Sequence, residues 1–124
     1  MTKLALIAED EPYIVDALTF ILERNDYKVR VSHTGDHALR DAHNLKPTVM
    51  ILDIMLPKRD GFDVLKALRA DEETRDLPIL VLTAKGQDAD KDKAMALGAS
   101  YFLTKPFSNQ EVLDTLERLS GHGR

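Results

Sequence analysis

The chain has 124 residues, 44% of them hydrophobic, with a net charge of −4 and no cysteine. That length makes one domain able to bury a core without covalent staples, and the missing thiol excludes disulfides, zinc thiolate centres and a cysteine nucleophile. The acidic balance argues against direct binding of nucleic acid or of an anionic membrane, and the apolar run near the N-terminus is too short for a signal peptide or a membrane span, so a cytoplasmic protein is expected.

Leu4 to Ala8 is nearly continuous and apolar, as a strand buried on both faces should be. Pro12 suits the first turn of a helix, where its missing N–H costs nothing. Ile14, Leu18, Ile21 and Leu22 follow at helical spacing, and Asn25-Asp26 ends that helix. Tyr27 to Val31 alternates and reads as an edge strand. Thr34 is placed to cap a second helix with Ala38, Leu39 and Ala42 inward, ending near Asn44. Lys46-Pro47 breaks the chain before a strand from Thr48 to Leu52. Pro57 and Gly61 punctuate a loop, and Phe62, Leu65 and Leu68 stripe a third helix. Pro78 introduces a strand from Ile79 to Leu82, and Gln87 to Leu97 reads as a fourth helix with a charged, exposed start, stopped by Gly98. A short strand falls around Ser100 to Leu103, and Ser108 caps a fifth helix carrying Val112, Leu113, Leu116 and Leu119. Residues 1–120 form one domain and 121–124 a frayed tail. Alternating βα units imply a parallel sheet with helices on both faces and right-handed crossovers.

Four of these apolar runs end in residues that can handle a phosphoryl group: Glu9-Asp10, Asp53, Thr83 and Lys105. The carboxyl edge of an open α/β sheet is where such folds build their sites. If the first and third strands are neighbours, Glu9, Asp10 and Asp53 meet there. Two unit charges about 4 Å apart repel by roughly 4 kcal/mol at an effective dielectric near 20, which a cation would offset. With only oxygen ligands, the site suits Mg²⁺, Mn²⁺ or Ca²⁺ rather than zinc, and Mg²⁺ best if water and phosphate complete the shell. Asp53, alone after the most apolar strand, can attack phosphorus as a nucleophile. Lys105 supplies a point charge for phosphoryl oxygens, and the Thr83 hydroxyl can donate to the same group. Pro106 fixes the loop behind Lys105, with a peptide bond able to be cis. His33, His37, His43 and His122 lie away from the acidic edge and read as surface residues, as do Arg30, Lys46, Lys58 and Arg59.

With those residues in place, the chain resembles, from end to end, a response regulator receiver domain of two-component signalling. The resemblance rests on Ala8-Glu9-Asp10-Glu11, on Leu52-Asp53-Ile54-Met55-Leu56-Pro57 with Gly61, on Leu82-Thr83-Ala84, and on Gly98 to Phe107. It implies a flavodoxin-like (βα)5 fold, with a five-stranded parallel sheet in the order 2-1-3-4-5. It implies that Asp53 accepts a phosphoryl group from a sensor histidine kinase or a histidine phosphotransfer protein. Asp10, Asp53 and the Met55 carbonyl would hold Mg²⁺ directly, and Glu9 would reach it through water; many members carry aspartate at the Glu9 position. Lys105 would pair with the phosphoryl group, Thr83 would be the switch hydroxyl and Tyr101 the switch aromatic. Met55 and Lys85 would tune the phosphoryl lifetime. The fourth helix, last strand and fifth helix would then present a two-state surface to a downstream target, or to a second copy in a phosphorylation-linked homodimer.

Other functions fit the residues less well. An aspartyl-phosphate phosphatase of the haloacid-dehalogenase type needs a second acid two residues after its nucleophile, and Met55 stands there. A flavin-binding module on the same fold needs a phosphate-cradling loop after the first strand, where Glu9-Asp10-Glu11 would repel the phosphate. A degenerate, phosphate-independent scaffold would not retain every site residue. The expected protein is therefore a signalling domain that catalyses its own phosphorylation and dephosphorylation, not a metabolic enzyme.

Overall fold

Backbones that are apolar on both faces must be covered on both faces, and the strands obey this. The computed structural model describes residues 3–57, 60–84 and 88–121. Among them β1 (Lys3–Ala8), α1 (Pro12–Glu23), β2 (Tyr27–Ser32), α2 (Gly35–Leu45), β3 (Val49–Asp53), α3 (Gly61–Ala70), β4 (Ile79–Thr83), α4 (Asp88–Ala96), β5 (Tyr101–Thr104) and α5 (Asn109–Gly121) alternate along the chain. The strands form one parallel sheet in the order β2-β1-β3-β4-β5. Every residue of β3 and β4 is buried, including the polar ends Asp53 and Thr83. The edge strand β2 alternates, with Lys28 and Arg30 exposed; charged side chains on an edge discourage pairing with another chain.

Two apolar layers sandwich the sheet. Leu6, Ala8, Met50, Leu52, Ile79 and Val81 pack against α2, α3 and α4. Ala5, Ile7, Ile51, Leu80, Leu82 and Leu103 pack against α1 and α5. Each fully buried leucine or isoleucine adds about 1.5–3 kcal/mol.

The helix ends follow local chemistry. Thr34 Oγ1 accepts from His37 N at 3.2 Å, and Ser108 and Glu111 exchange backbone-to-side-chain bonds of 3.1 and 2.8 Å in a capping box. Strand and helix ends differ from the sequence reading by a residue or so. β3 and β4 run on through Asp53 and Thr83, and β5 runs from Tyr101 to Thr104, because pairing with neighbouring strands continues past the last apolar side chain. Gln87, Lys58, Arg59, Lys85, His122 and residues 123–124 lie outside the described residues; α5 extends to Gly121, one residue into the expected tail.

Arg69 ties α3 to the α4–β5 turn. Its guanidinium donates to the carbonyls of Gly98 at 2.8 Å, Thr74 at 3.3 Å and Arg75 at 3.0 Å, and to Ser100 Oγ at 3.4 Å. Gly98 has φ +108°, and a Cβ there would sit 2.9 Å from Arg69 Cγ. We expect Arg69→Ala to cost about 1–3 kcal/mol, because it strands part-buried carbonyls; an unchanged urea midpoint would disprove this.

Candidate functional site at the carboxyl edge

β1 and β3 are neighbours in register, so Glu9 and Asp53 emerge side by side where the sheet ends. Glu9 is 1% exposed and Asp53 3%. Asp53 Oδ1 accepts from the Met55 amide at 2.9 Å, and its Oδ2 accepts from Lys105 Nζ at 2.8 Å. Lys105 reaches this position from the loop after β5, and the Lys105–Pro106 bond is cis. Its ammonium also stands 3.4 Å from Glu9 Oε1.

Glu9 Oε2 accepts from the Asp10 and Glu11 amides, both at 3.1 Å. Those amides lie just before α1, whose first helical residue is Pro12, so the carboxylate sits near the positive end of a helix. Glu9 Oε1 is buried without a hydrogen-bond partner. Burial, then the hydrogen-bond reach and charge of Asp53, push the Glu9 carboxyl up to about 7, against the opposing pull of the Glu11 amide and Lys105. For Lys105, burial acts to lower the ammonium, but the hydrogen bond and charge of Asp53, with those of Glu9, outweigh it and raise it above its ordinary value.

Asp10 is exposed beside this cluster. Among the described residues no three His, Cys, Asp or Glu side chains form a ready metal cage. The residues nevertheless fit a hard cation: the donors are oxygens, and among the described residues the buried Glu9 Oε1 has only the Lys105 ammonium, 3.4 Å away, facing it. The backbone of Met55 stays close, through its amide bond to Asp53, while its side chain is 73% exposed.

Thr83 ends β4 and donates to the Leu103 carbonyl at 3.4 Å. Side chains alternate along β4, so Thr83 follows Ile79 and Val81 onto the α4 face. Tyr101 packs on the opposite face, against the α1 and α5 layer. Phe102 packs on the same face as Thr83, and its register partner on β4 is Val81. Of the two rings, Phe102 is the one that shares a face with Thr83. Alternation was the signal that could have found it: Phe102, not Tyr101, shares parity with Thr104, the partner of Thr83.

Gly61 closes the β3–α3 loop, its amide donating to the Ile54 carbonyl at 2.9 Å. A Cβ there would lie 2.5 Å from Ile54 Cα and 2.7 Å from the Asp53 carbonyl oxygen. We expect Gly61→Ala to destabilise the fold by about 1–3 kcal/mol, since backbone cannot yield cheaply, and to displace the Asp53 loop. Wild-type values of both the urea midpoint and the Mg²⁺ affinity would refute it. His33, His37 and His43 are exposed, and His43 lies 3.3 Å from Asp71 and 3.6 Å from Glu73.

The family model of the response regulator receiver domain matches residues 5–117. The chain is 45% identical to the alkaline phosphatase synthesis transcriptional regulatory protein PhoP of Bacillus subtilis, over 90% of this chain and 46% of that protein. It is 43% identical to the DNA-binding dual master transcriptional regulator RpaA of Synechocystis, over 92% of this chain and 47% of that one. The chain thus spans about half the length of these relatives. Its fold superposes on the chemotaxis response regulator CheY4 of Vibrio cholerae with a TM-score of 0.89 at 30% identity, covering 96% of this chain and 99% of the other. The receiver domain of the sensor histidine kinase PA1611 from Pseudomonas aeruginosa, solved with a magnesium ion coordinated in its active-site cleft, gives 0.89 at 29% identity, covering 98% and 99%.

Proposed function

The chain belongs to the response regulator receiver domain family, and on that premise we propose that Asp53 accepts a phosphoryl group from a phosphohistidine on a sensor kinase or phosphotransfer protein. The observation that carries this reading is the buried Asp53 carboxylate held 2.8 Å from Lys105 at the carboxyl edge of the sheet. A carboxylate oxygen of Asp53 attacks phosphorus, the P–N bond to the donor imidazole breaks, and an acyl phosphate forms. The Met55 amide and Lys105 fix the nucleophile before the reaction, so catalysis is mostly positioning and charge neutralisation.

Asp10, Asp53 and the Met55 carbonyl would hold Mg²⁺, with Glu9 behind them; Mn²⁺ or Ca²⁺ would use the same oxygens. When bound, the cation neutralises charge that builds on the phosphoryl oxygens. Lys105 then exchanges part of its contact with Asp53 for a phosphoryl oxygen, and the Thr83 hydroxyl leaves the long bond to Leu103 to donate to the same group. Phe102 follows on the α4 face, which biases a surface built from α4, β5 and α5 toward a target protein or a second copy. We place this activity in the cytoplasm, where a kinase domain and its phosphoryl donor meet. Among the described residues no helix is long and apolar enough to cross a membrane. We assign no direct nucleic-acid binding to this domain.

Intact mass after incubation with acetyl phosphate tests the reading. One phosphoryl adduct that requires Mg²⁺ supports it; a folded protein that takes no adduct from acetyl phosphate or from any phosphohistidine donor overturns it.

A further inference from the structure

We propose that Tyr101 carries the state of the site across the sheet, from Phe102 on the α4 face to Arg118 of α5 on the other. This rests on the reading of Asp53 and Thr83 given above. Adjacent residues of a strand point to opposite faces, and on an interior strand the neighbouring strands keep their side chains apart. β5 is the last strand of the sheet, and among the described residues its outer edge has no strand partner. There the Tyr101 and Phe102 rings stack with centroids 5.5 Å apart and planes 19° from parallel, although one packs with each apolar layer.

Each ring also has a cation within reach of its face. Lys91 Nζ of α4 lies 5.3 Å from the Phe102 ring and is held by Asp88 at 2.9 Å. The Arg118 guanidinium of α5 lies 5.2 Å from the Tyr101 ring. The row Lys91, Phe102, Tyr101, Arg118 therefore links α4 to α5 through contacts that depend on ring orientation. If Phe102 turns when Thr83 moves, Tyr101 loses or re-forms its stack and Arg118 must follow. Tyr101 is thus a positioning residue for α5, not the residue that answers Thr83 directly.

The test uses nuclear magnetic resonance on the whole chain, with Mg²⁺ and beryllofluoride as the phosphoryl mimic. In the wild type, signals of Thr83, Phe102 and Arg118 should all shift on addition of beryllofluoride. In Tyr101→Leu, Thr83 and Phe102 should shift as before while the Arg118 guanidinium response is lost, and Tyr101→Phe, which keeps the ring, should restore it. Phe102→Leu interrupts the row one place earlier and should likewise leave Thr83 responsive and Arg118 silent. An Arg118 response that persists in either leucine variant overturns the relay. A wild type in which Thr83 itself does not respond overturns the underlying reading of the site, and the relay with it.

Discussion

Asp53→Asn should abolish the Mg²⁺-dependent phosphoryl adduct while leaving the fold intact. The single carboxamide oxygen can still accept from either the Met55 amide or Lys105, so the loop keeps one of its two hydrogen bonds. What is lost is the anionic nucleophile, since an amide oxygen does not form an acyl phosphate. The substitution also removes a carboxylate that, after burial, raises the Glu9 carboxyl through its hydrogen-bond reach and its charge. The folded variant should therefore be at least as stable as the wild type when no divalent cation is present. Intact mass with acetyl phosphate reads the first effect and urea unfolding in EDTA the second. An adduct of the same yield in the variant would remove Asp53 from the acceptor role.

The second large effect is a fall in stability as pH rises, which Mg²⁺ should reverse. Glu9 titrates at about 7 in the folded chain against 4.5 as its ordinary value. The folded state binds more protons between those values, so unfolding becomes easier as pH climbs from 4.5 to 7. A difference of about 2.5 pH units corresponds to roughly 3 kcal/mol. Lys105 does not blur this window, because its raised folded value places the loss of its contribution above its ordinary 10.5. Glu73, lowered by Lys46, gains stability above its ordinary value, but it is fully exposed and its share is screened. A cation beside Glu9 favours its ionised form, so Mg²⁺ should raise the urea midpoint at pH 8 and barely change it at pH 5. Glu9→Gln should flatten the profile recorded in EDTA. A wild-type midpoint that is level from pH 4.5 to 7, or an equal Mg²⁺ effect at pH 5 and pH 8, would refute this account.

Most of the architecture is legible in the chain because each element carries its own local cause. Continuous apolar runs mark strands covered on both faces, Thr34 and Ser108 mark helix starts through their hydroxyls, and Gly98 marks a stop that its φ of +108° requires. The polar residues at strand ends are equally visible, since an acid, hydroxyl or lysine that interrupts an apolar run has no structural reason to stand there. Their number and order point to phosphoryl chemistry before any distance is known.

Other features depend on contacts between residues far apart in sequence. That Glu9 rather than Asp10 is the buried acid follows from how β1 ends against β3, and adjacent acids in a sequence give no hint of which turns inward. Arg69 reads as one more charged residue on α3, yet it ties four groups of the neighbouring loops together. Tyr101 and Phe102 are both aromatic and both near Lys105, and only the pairing of β5 with β4 says which of them shares a face with Thr83. The sequence by itself determined the elements and their alternation, because these follow from side-chain polarity and local backbone preference. Tertiary structure decided burial, face and partner, because those depend on strand register and on which surfaces close against one another.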